Sequence, residues 1–146
     1  MANREELSLR LWIQIVRLAN GLQKDVDRRL RREFGQSLAR FDVLSQLDRV
    51  DGHEMPVGQL SASLLTPNNN ITRLLDRMER DGLLTRALNE SDRRSFRVCA
   101  TAEGLRTFRA MADENRDWIA RAFEGLGAER MRALSGALRD VEPDLH

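Results

Sequence analysis

The apolar positions of this chain change period along its length, and each change marks an element. From about Glu5 to Phe34 the residues Leu7, Leu11, Ile15, Leu18, Leu22, Val26, Leu30 and Phe34 step by three or four. That spacing is one face of a helix, and thirty helical residues span roughly 45 Å. A small domain cannot bury such a length alone, so part of the stripe is expected to meet a partner subunit. Gly35-Gln36-Ser37 is a turn, after which Leu38, Phe41, Leu44 and Leu47 give the inward side of a second helix reaching about Val50. Asp51-Gly52-His53 ends it, and Met55-Pro56-Val57 leads into a short helix with Val57, Leu60 and Leu64 as its apolar points.

One short turn later, Thr66 reads as an N-cap and Pro67 as a first helical residue. Ile71, Leu74, Leu75 and Met78 then share a face, and Asp81-Gly82 is a stop signal. Helix, brief turn, helix is the helix-turn-helix arrangement. The outward side of the second helix carries Asn68, Asn69, Asn70, Thr72, Arg73 and Arg77, groups that can meet base edges and phosphates. After Gly82 the period shortens. Leu83 to Leu88 suits a strand, and Ser95 to Ala100 alternates, with Phe96, Val98 and Ala100 on one side. Asn89-Glu90-Ser91-Asp92 supplies the turn between them, and Arg93 and Arg94 place two positive charges beside its tip. A polar helix followed by an Arg-tipped hairpin fits a helix in the major groove and a wing on the backbone or in the minor groove.

The helical period returns at Thr101, a cap for a helix from Ala102 to about Phe123 with Leu105, Phe108, Met111, Ala112, Ile119 and Phe123 on its apolar side. Gly125-Leu126-Gly127 breaks it. A last helix from Ala128 to Val141 carries Met131, Leu134, Leu138 and Val141.

Composition changes this picture only at a few points. At 146 residues, with 41% apolar and 32% charged positions, the chain has the size and balance of one domain. Its net charge of +1 does not announce a polyanionic partner, so the distribution has to carry that argument. Between Thr66 and Arg97, Arg73, Arg77, Arg80, Arg86, Arg93, Arg94 and Arg97 face Asp76, Glu79, Asp81, Glu90 and Asp92, a surplus of two. That surplus is useful only if the acids point away from DNA. Lys24 is the only lysine, and arginine forks suit phosphate and guanine. Arg28, Arg29, Arg31 and Arg32 form a second basic knot, read first as a solvated helix end and otherwise as a contact for DNA backbone or an anionic ligand.

The single cysteine, Cys99, rules out an internal disulfide and suits a reducing, cytoplasmic setting. Arg10, Gln14 and Arg17 interrupt the N-terminal apolar stripe, against a signal peptide or a membrane span. Two histidines and one cysteine are too few for a usual zinc site, so no metal or cofactor is expected. There is no phosphate-binding glycine loop and no nucleophile motif, so an enzyme is not expected. His53 beside Glu54 is common surface chemistry.

The stretch TRLLDRMERDGLLTR, then DRRSFRV, then T-A-E-G resembles the winged-helix core of the MarR family of bacterial transcription regulators. Thr72, Arg73, Asp76, Arg77, Gly82, Leu83, Asp92, Arg94, Ser95, Val98, Thr101 and Gly104 fall on the family pattern; Ala100 departs from it, standing where the family usually has Leu. The resemblance implies a mainly α fold with a small β-wing. Residues 1–146 would form one domain, with a winged helix-turn-helix core at 38–100 flanked by long dimerisation helices at 5–34 and 102–141. It further implies a homodimer on a pseudo-palindromic operator in double-stranded DNA, most often as a repressor released by a small molecule.

On this pattern the expected DNA contacts are Pro67, Asn68, Asn69, Asn70, Thr72, Arg73, Arg77, Asp92, Arg93 and Arg94. Arg77 reaches phosphate or pairs with an acid, Arg93 inserts from the wing, and Asp92 with Arg94 shapes its loop. The dimer is expected to bury Leu7, Leu11, Ile15, Met131, Leu134 and Leu138. An effector pocket is expected near Trp12, Phe41, Phe108 and Met111, each of which also fits plain core packing. LWIQIVRLAN and LARFDVLSQL are similar, more weakly, to the branch that controls breakdown of aromatic acids. That likeness implies an aromatic acid or its CoA thioester as effector, with Arg28–Arg32 near the CoA phosphates. Two alternatives stand beside this reading. One is a helical dimerisation or adaptor protein without sequence-specific DNA binding. The other is a regulator switched by Cys99, although the peroxide-sensing branch uses a first-helix cysteine with nearby tyrosines and this chain has no Tyr.

Overall fold

The computed structural model describes residues 1–90 and 92–143, with backbone only for Asp92 and Arg93. Among the described residues, six α-helices and three strands follow in the order α1 (Arg4–Phe34), α2 (Leu38–Arg49), β1 (Glu54–Pro56), α3 (Val57–Ser63), α4 (Ile71–Arg80), β2 (Leu84–Asn89), β3 (Asp92–Ala100), α5 (Ala102–Ala122) and α6 (Ala128–Arg139). The fold class is the one the sequence implies, a helical protein with a small antiparallel wing. Helix ends fall within about two residues of the expected ones, except at the start of α4.

Caps explain most boundaries. The Asn3 side chain accepts from the Glu6 amide at the start of α1, and Gly35, at φ +67°, closes its end. The Ser37 hydroxyl accepts from the Arg40 amide, and the Leu38 amide donates to the Asp27 carboxylate of α1. α2 is thereby tied to α1 by its own first turn. At the end of α4, Gly82 takes φ +77° and the Leu83 amide reaches back to the Met78 carbonyl at 3.0 Å.

The Thr101 hydroxyl accepts from the Gly104 amide and donates to the Gly82 carbonyl at 2.6 Å, fastening the base of the wing to the turn after α4. Gly104 packs on the Leu83 backbone so closely that a methyl group there would collide with the Leu83 carbonyl. This gives the T-x-x-G signature a physical reason.

Two expectations need correction. The segment leading to α3 contains a strand: Met55 pairs with Val98, so β3 is central and the sheet order is β1-β3-β2. A three-residue edge strand has no period of its own to read. The second concerns Thr66 and Pro67, which are not the cap and first residue of the recognition helix. The Thr66 amide and hydroxyl both donate to the Asp42 carboxylate of α2, at 2.8 and 2.9 Å. The Asn68 side chain accepts from the Asn70 amide, forming a local turn that competes with helix. The helix therefore starts only at Ile71, with the Asn70 carbonyl accepting its first bond from Leu74.

Val43, Leu44, Leu47, Leu60, Leu75 and Met78 centre the core, joined by Val26 and Leu30 from α1 and by Met111 and Trp118 from α5. Ala100, the departure from the family pattern, is buried opposite Leu84 in the sheet. In contrast, residues 4–21 of α1 are exposed throughout, and nearly all of α6 is exposed.

Candidate nucleic-acid interface

α4 turns its Ile71, Leu74, Leu75 and Met78 side inward and leaves Thr72, Arg73 and Arg77 exposed. Pro67, Asn69 and Asn70 are exposed in the preceding loop, with Asn68 half-buried. The asparagines therefore stand at the N-terminal mouth of α4 rather than along its face. Asp42, only 4% exposed, holds that mouth to α2. Its other carboxylate oxygen has no hydrogen bond among the described residues.

The acids of α4 and its end, Asp76, Glu79 and Asp81, are paired with arginines from other elements. Arg86 of β2 pairs with Asp76 and Glu79, its backbone amide also donates to Glu79, and its guanidinium lies 5.4 Å from the Phe96 ring centre. The Arg86 hydrogen bond holds the Glu79 carboxyl below its usual range, and the same contact pushes the Arg86 guanidinium up. Asp81 pairs with Arg40 at 2.7 Å. Arg73 and Arg77 form no ion pair among the described residues, so two positive charges stand on the exposed face of α4 without an acid partner there. The alternative of an acid partner for Arg77 is not met.

A cleft of about 500 Å³ opens beside this face, between α4, the end of α1 and the start of α2. Arg31, Arg40, Arg73 and Arg77 line it together with Asn68 and Asn70. The basic knot is thus divided. Arg31 enters the cleft, Arg29 lies 5.7 Å from the Trp118 ring centre, Arg28 pairs with Asp25, and Arg32 pairs with Glu33. Burial raises the Asp27 carboxyl, but the Leu38 amide and the Arg31 guanidinium outweigh it and hold the group below its usual range.

On the wing, Arg94 is exposed. The expected insertion of Arg93 and pairing of Asp92 with Arg94 fall on side chains outside the described residues. Cys99 is half-buried in β3, with its sulfur near the Gly52 and Ala100 carbonyls. Of the pocket candidates, Phe41 and Phe108 meet with ring centres 5.3 Å apart, and Met111 is buried nearby in the core. Trp12 shares no ring contact with them and stands 61% exposed on α1. The six expected dimer residues are all exposed in the single chain; of these, Met131, Leu134 and Leu138 line an apolar groove of about 280 Å³ with Phe123 and Leu126.

Sequence reasoning missed Asp42, Arg40 and Trp118. A lone acid between the apolar Phe41 and Val43 was the available signal for the first. Nothing local marks Arg40, whose partner Asp81 lies far along the chain.

Residues 34–95 match the MarR family model. The chain is 35% identical over 108 residues to the transcriptional activatory protein BadR of Rhodopseudomonas palustris, covering 73% of this chain and 61% of BadR. The chain thus spans under two thirds of that relative. A MarR family transcriptional regulator from Silicibacter pomeroyi superimposes with a TM-score of 0.80 at 31% identity, covering 96% of both chains. Sco3205 of Streptomyces coelicolor, solved in complex with DNA, shares the fold with a TM-score of 0.80 at 23% identity, covering 95% of this chain and 90% of its own. The chain belongs to the MarR family. Among the described residues no helix is long and apolar enough to cross a membrane.

Proposed function

We propose that the protein is a cytoplasmic, homodimeric repressor that binds a pseudo-palindromic operator and is released by a small molecule. The observation that carries this reading is the exposed face of α4, where Arg73 and Arg77 have no ion pair among the described residues while Asp76, Glu79 and Asp81 are paired with Arg86 and Arg40. Arg73, Thr72 and the Asn68–Asn70 loop face the major groove, Arg77 reaches phosphate, and the wing arginines take the flanking backbone or minor groove.

The effector is an aromatic acid or its CoA thioester, bound where Trp12 of one protomer closes over the Phe41–Phe108–Met111 region. Phe41 adjoins Asp42, which holds Thr66. A ligand that displaces Phe41 therefore moves the entrance to α4. It releases DNA only by binding the displaced arrangement more tightly.

A second reading, activation, takes its support from the name of BadR. It changes where the operator lies relative to a promoter, not the interface.

Selection of genomic fragments by the purified protein at near-physiological salt, followed by sequencing, tests the proposal. A recovered palindrome supports it, and the site's position separates repression from activation. Recovery of sequence-independent fragments alone would remove the base-reading roles, and failure to bind any duplex would leave the adaptor alternative.

A further inference from the structure

We infer that the cleft lined by Arg31, Arg40, Arg73 and Arg77 is a seat for a DNA backbone phosphate beside the groove that receives α4. The inference rests on the DNA-binding reading above and extends it to two residues outside the winged helix's reading face, Arg31 and Arg40. Four arginines line the cleft against one lining carboxylate, Asp81. Two of them are held in place. Asp27 fixes Arg31 at 2.9 Å, and Asp81 and Gln36 fix Arg40 at 2.7 and 3.1 Å. The other two, Arg73 and Arg77, have no ion pair among the described residues.

Ser37, which caps the twelve-residue α2, also lines the cleft, so the positive end of that helix adds to the field. Among the described residues of the lining, Leu74 is the only large apolar side chain. A drug-sized ligand would want mostly apolar walls, whereas a phosphate needs forked donors.

Position selects DNA backbone as the source of that phosphate. A helix with its side chains is about 10–12 Å across, and the major groove is about 12 Å wide. A helix in the groove therefore fills it from wall to wall, and the bordering phosphates run along the helix's flanks. The cleft occupies one flank of α4, and Arg73 and Arg77 serve both the groove and its edge.

The test compares wild-type protein with Arg31→Ala and Arg28→Ala on one selected operator duplex, reading affinity against salt concentration. Arg31 and Arg28 are both exposed on α1 and remove the same charge, but only Arg31 lines the cleft. Circular dichroism establishes that each variant is folded. The expected result is a salt slope lower by about 1 for Arg31→Ala, with the loss equal on operator and mismatched duplexes, and no slope change for Arg28→Ala.

An unchanged slope for Arg31→Ala overturns the seat while leaving DNA binding itself intact. Equal slope losses in both variants reduce the effect to general charge and also overturn it. Pyrophosphate titrated into DNA-free protein, followed by arginine side-chain NMR, covers the other source. Shifts at Arg31 combined with an unchanged DNA slope would make the cleft a free-anion site instead. If the wild-type protein binds no duplex, the regulator reading fails and the seat fails with it.

Discussion

Asp42 and Arg73 show how differently single residues can serve one interface. Asp42 touches no outward surface, yet its carboxylate accepts both bonds that fix Thr66. A hydrogen bond to a charged group contributes about 1.5–3 kcal/mol, so Asp42→Ala is expected to lower stability by that order, read by urea unfolding. It should also weaken operator binding at temperatures where the variant stays folded, because the mouth of α4 loses its tie. Asn at this position keeps an acceptor oxygen and removes a buried charge, so Asp42→Asn should recover most of both losses. Operator affinity unchanged in a folded Asp42→Ala would show that α4 is positioned by its core face alone. Arg73 is exposed and has no ion pair among the described residues. Arg73→Ala should cost about 1–3 kcal/mol on the operator and relax discrimination at one base position. A uniform loss across sequences, measured on a panel of single-mismatch duplexes, would assign Arg73 to phosphate alone.

Among the elements, α1, α2, α5 and α6 were legible from their apolar stripes, because each long helix repeats its period several times. The end of α4 was legible too, since Gly82 takes a left-handed conformation that a helix stop commonly needs. The start of α4 was not. Thr66 is a good local cap by type, but a carboxylate from another helix outcompetes the first turn for it. β1 was hidden for a related reason, its only partner being β3, distant in the chain. The exposure of Thr72, Arg73 and Arg77 on α4 was readable, while the loop placement of Asn68–Asn70 and the cleft beside α4 were not, because both depend on contacts from α2 and α1.

The junction of α1 and α2 gives a prediction at this scale. Asp27 accepts from the Leu38 amide and from Arg31, and its pKa is lowered in the folded chain. Its contribution is present above the unfolded value of about 3.9 and is lost as pH falls through the lower folded value. Asp27→Asn should therefore cost about 1 kcal/mol near neutrality, after allowance for part exposure. The gap to wild type should close below about pH 4. Thermal unfolding of both proteins from pH 3 to 7 measures it, and a pH-independent gap would mean that shape rather than charge is at work.

At the scale of the whole molecule, the exposed stripes need an explanation that one chain does not contain. Leu7, Leu11 and Ile15 on α1 and Met131, Leu134 and Leu138 on α6 are all open to solvent. Fully burying one such side chain is worth about 1.5–3 kcal/mol, and two-fold symmetry doubles every such gain. The proposed dimer buries these stripes against each other and sets two α4 helices about one DNA turn apart. Leu134 tests this without touching the core, because α6 contributes no fully buried residue. Leu134→Glu places two symmetry-related charges in the proposed interface, so sedimentation should show monomers at concentrations where wild type is dimeric, with helix content retained. The same variant should bind a complete operator no better than an isolated half-site, because the linkage between the two α4 helices is lost. A Leu134→Glu protein that stayed dimeric and kept full operator affinity would move the interface away from α6 and onto the α1 stripe. A variant that became monomeric without losing operator affinity would separate dimerisation from DNA reading, leaving α4 and its neighbouring arginines to supply the affinity within one protomer.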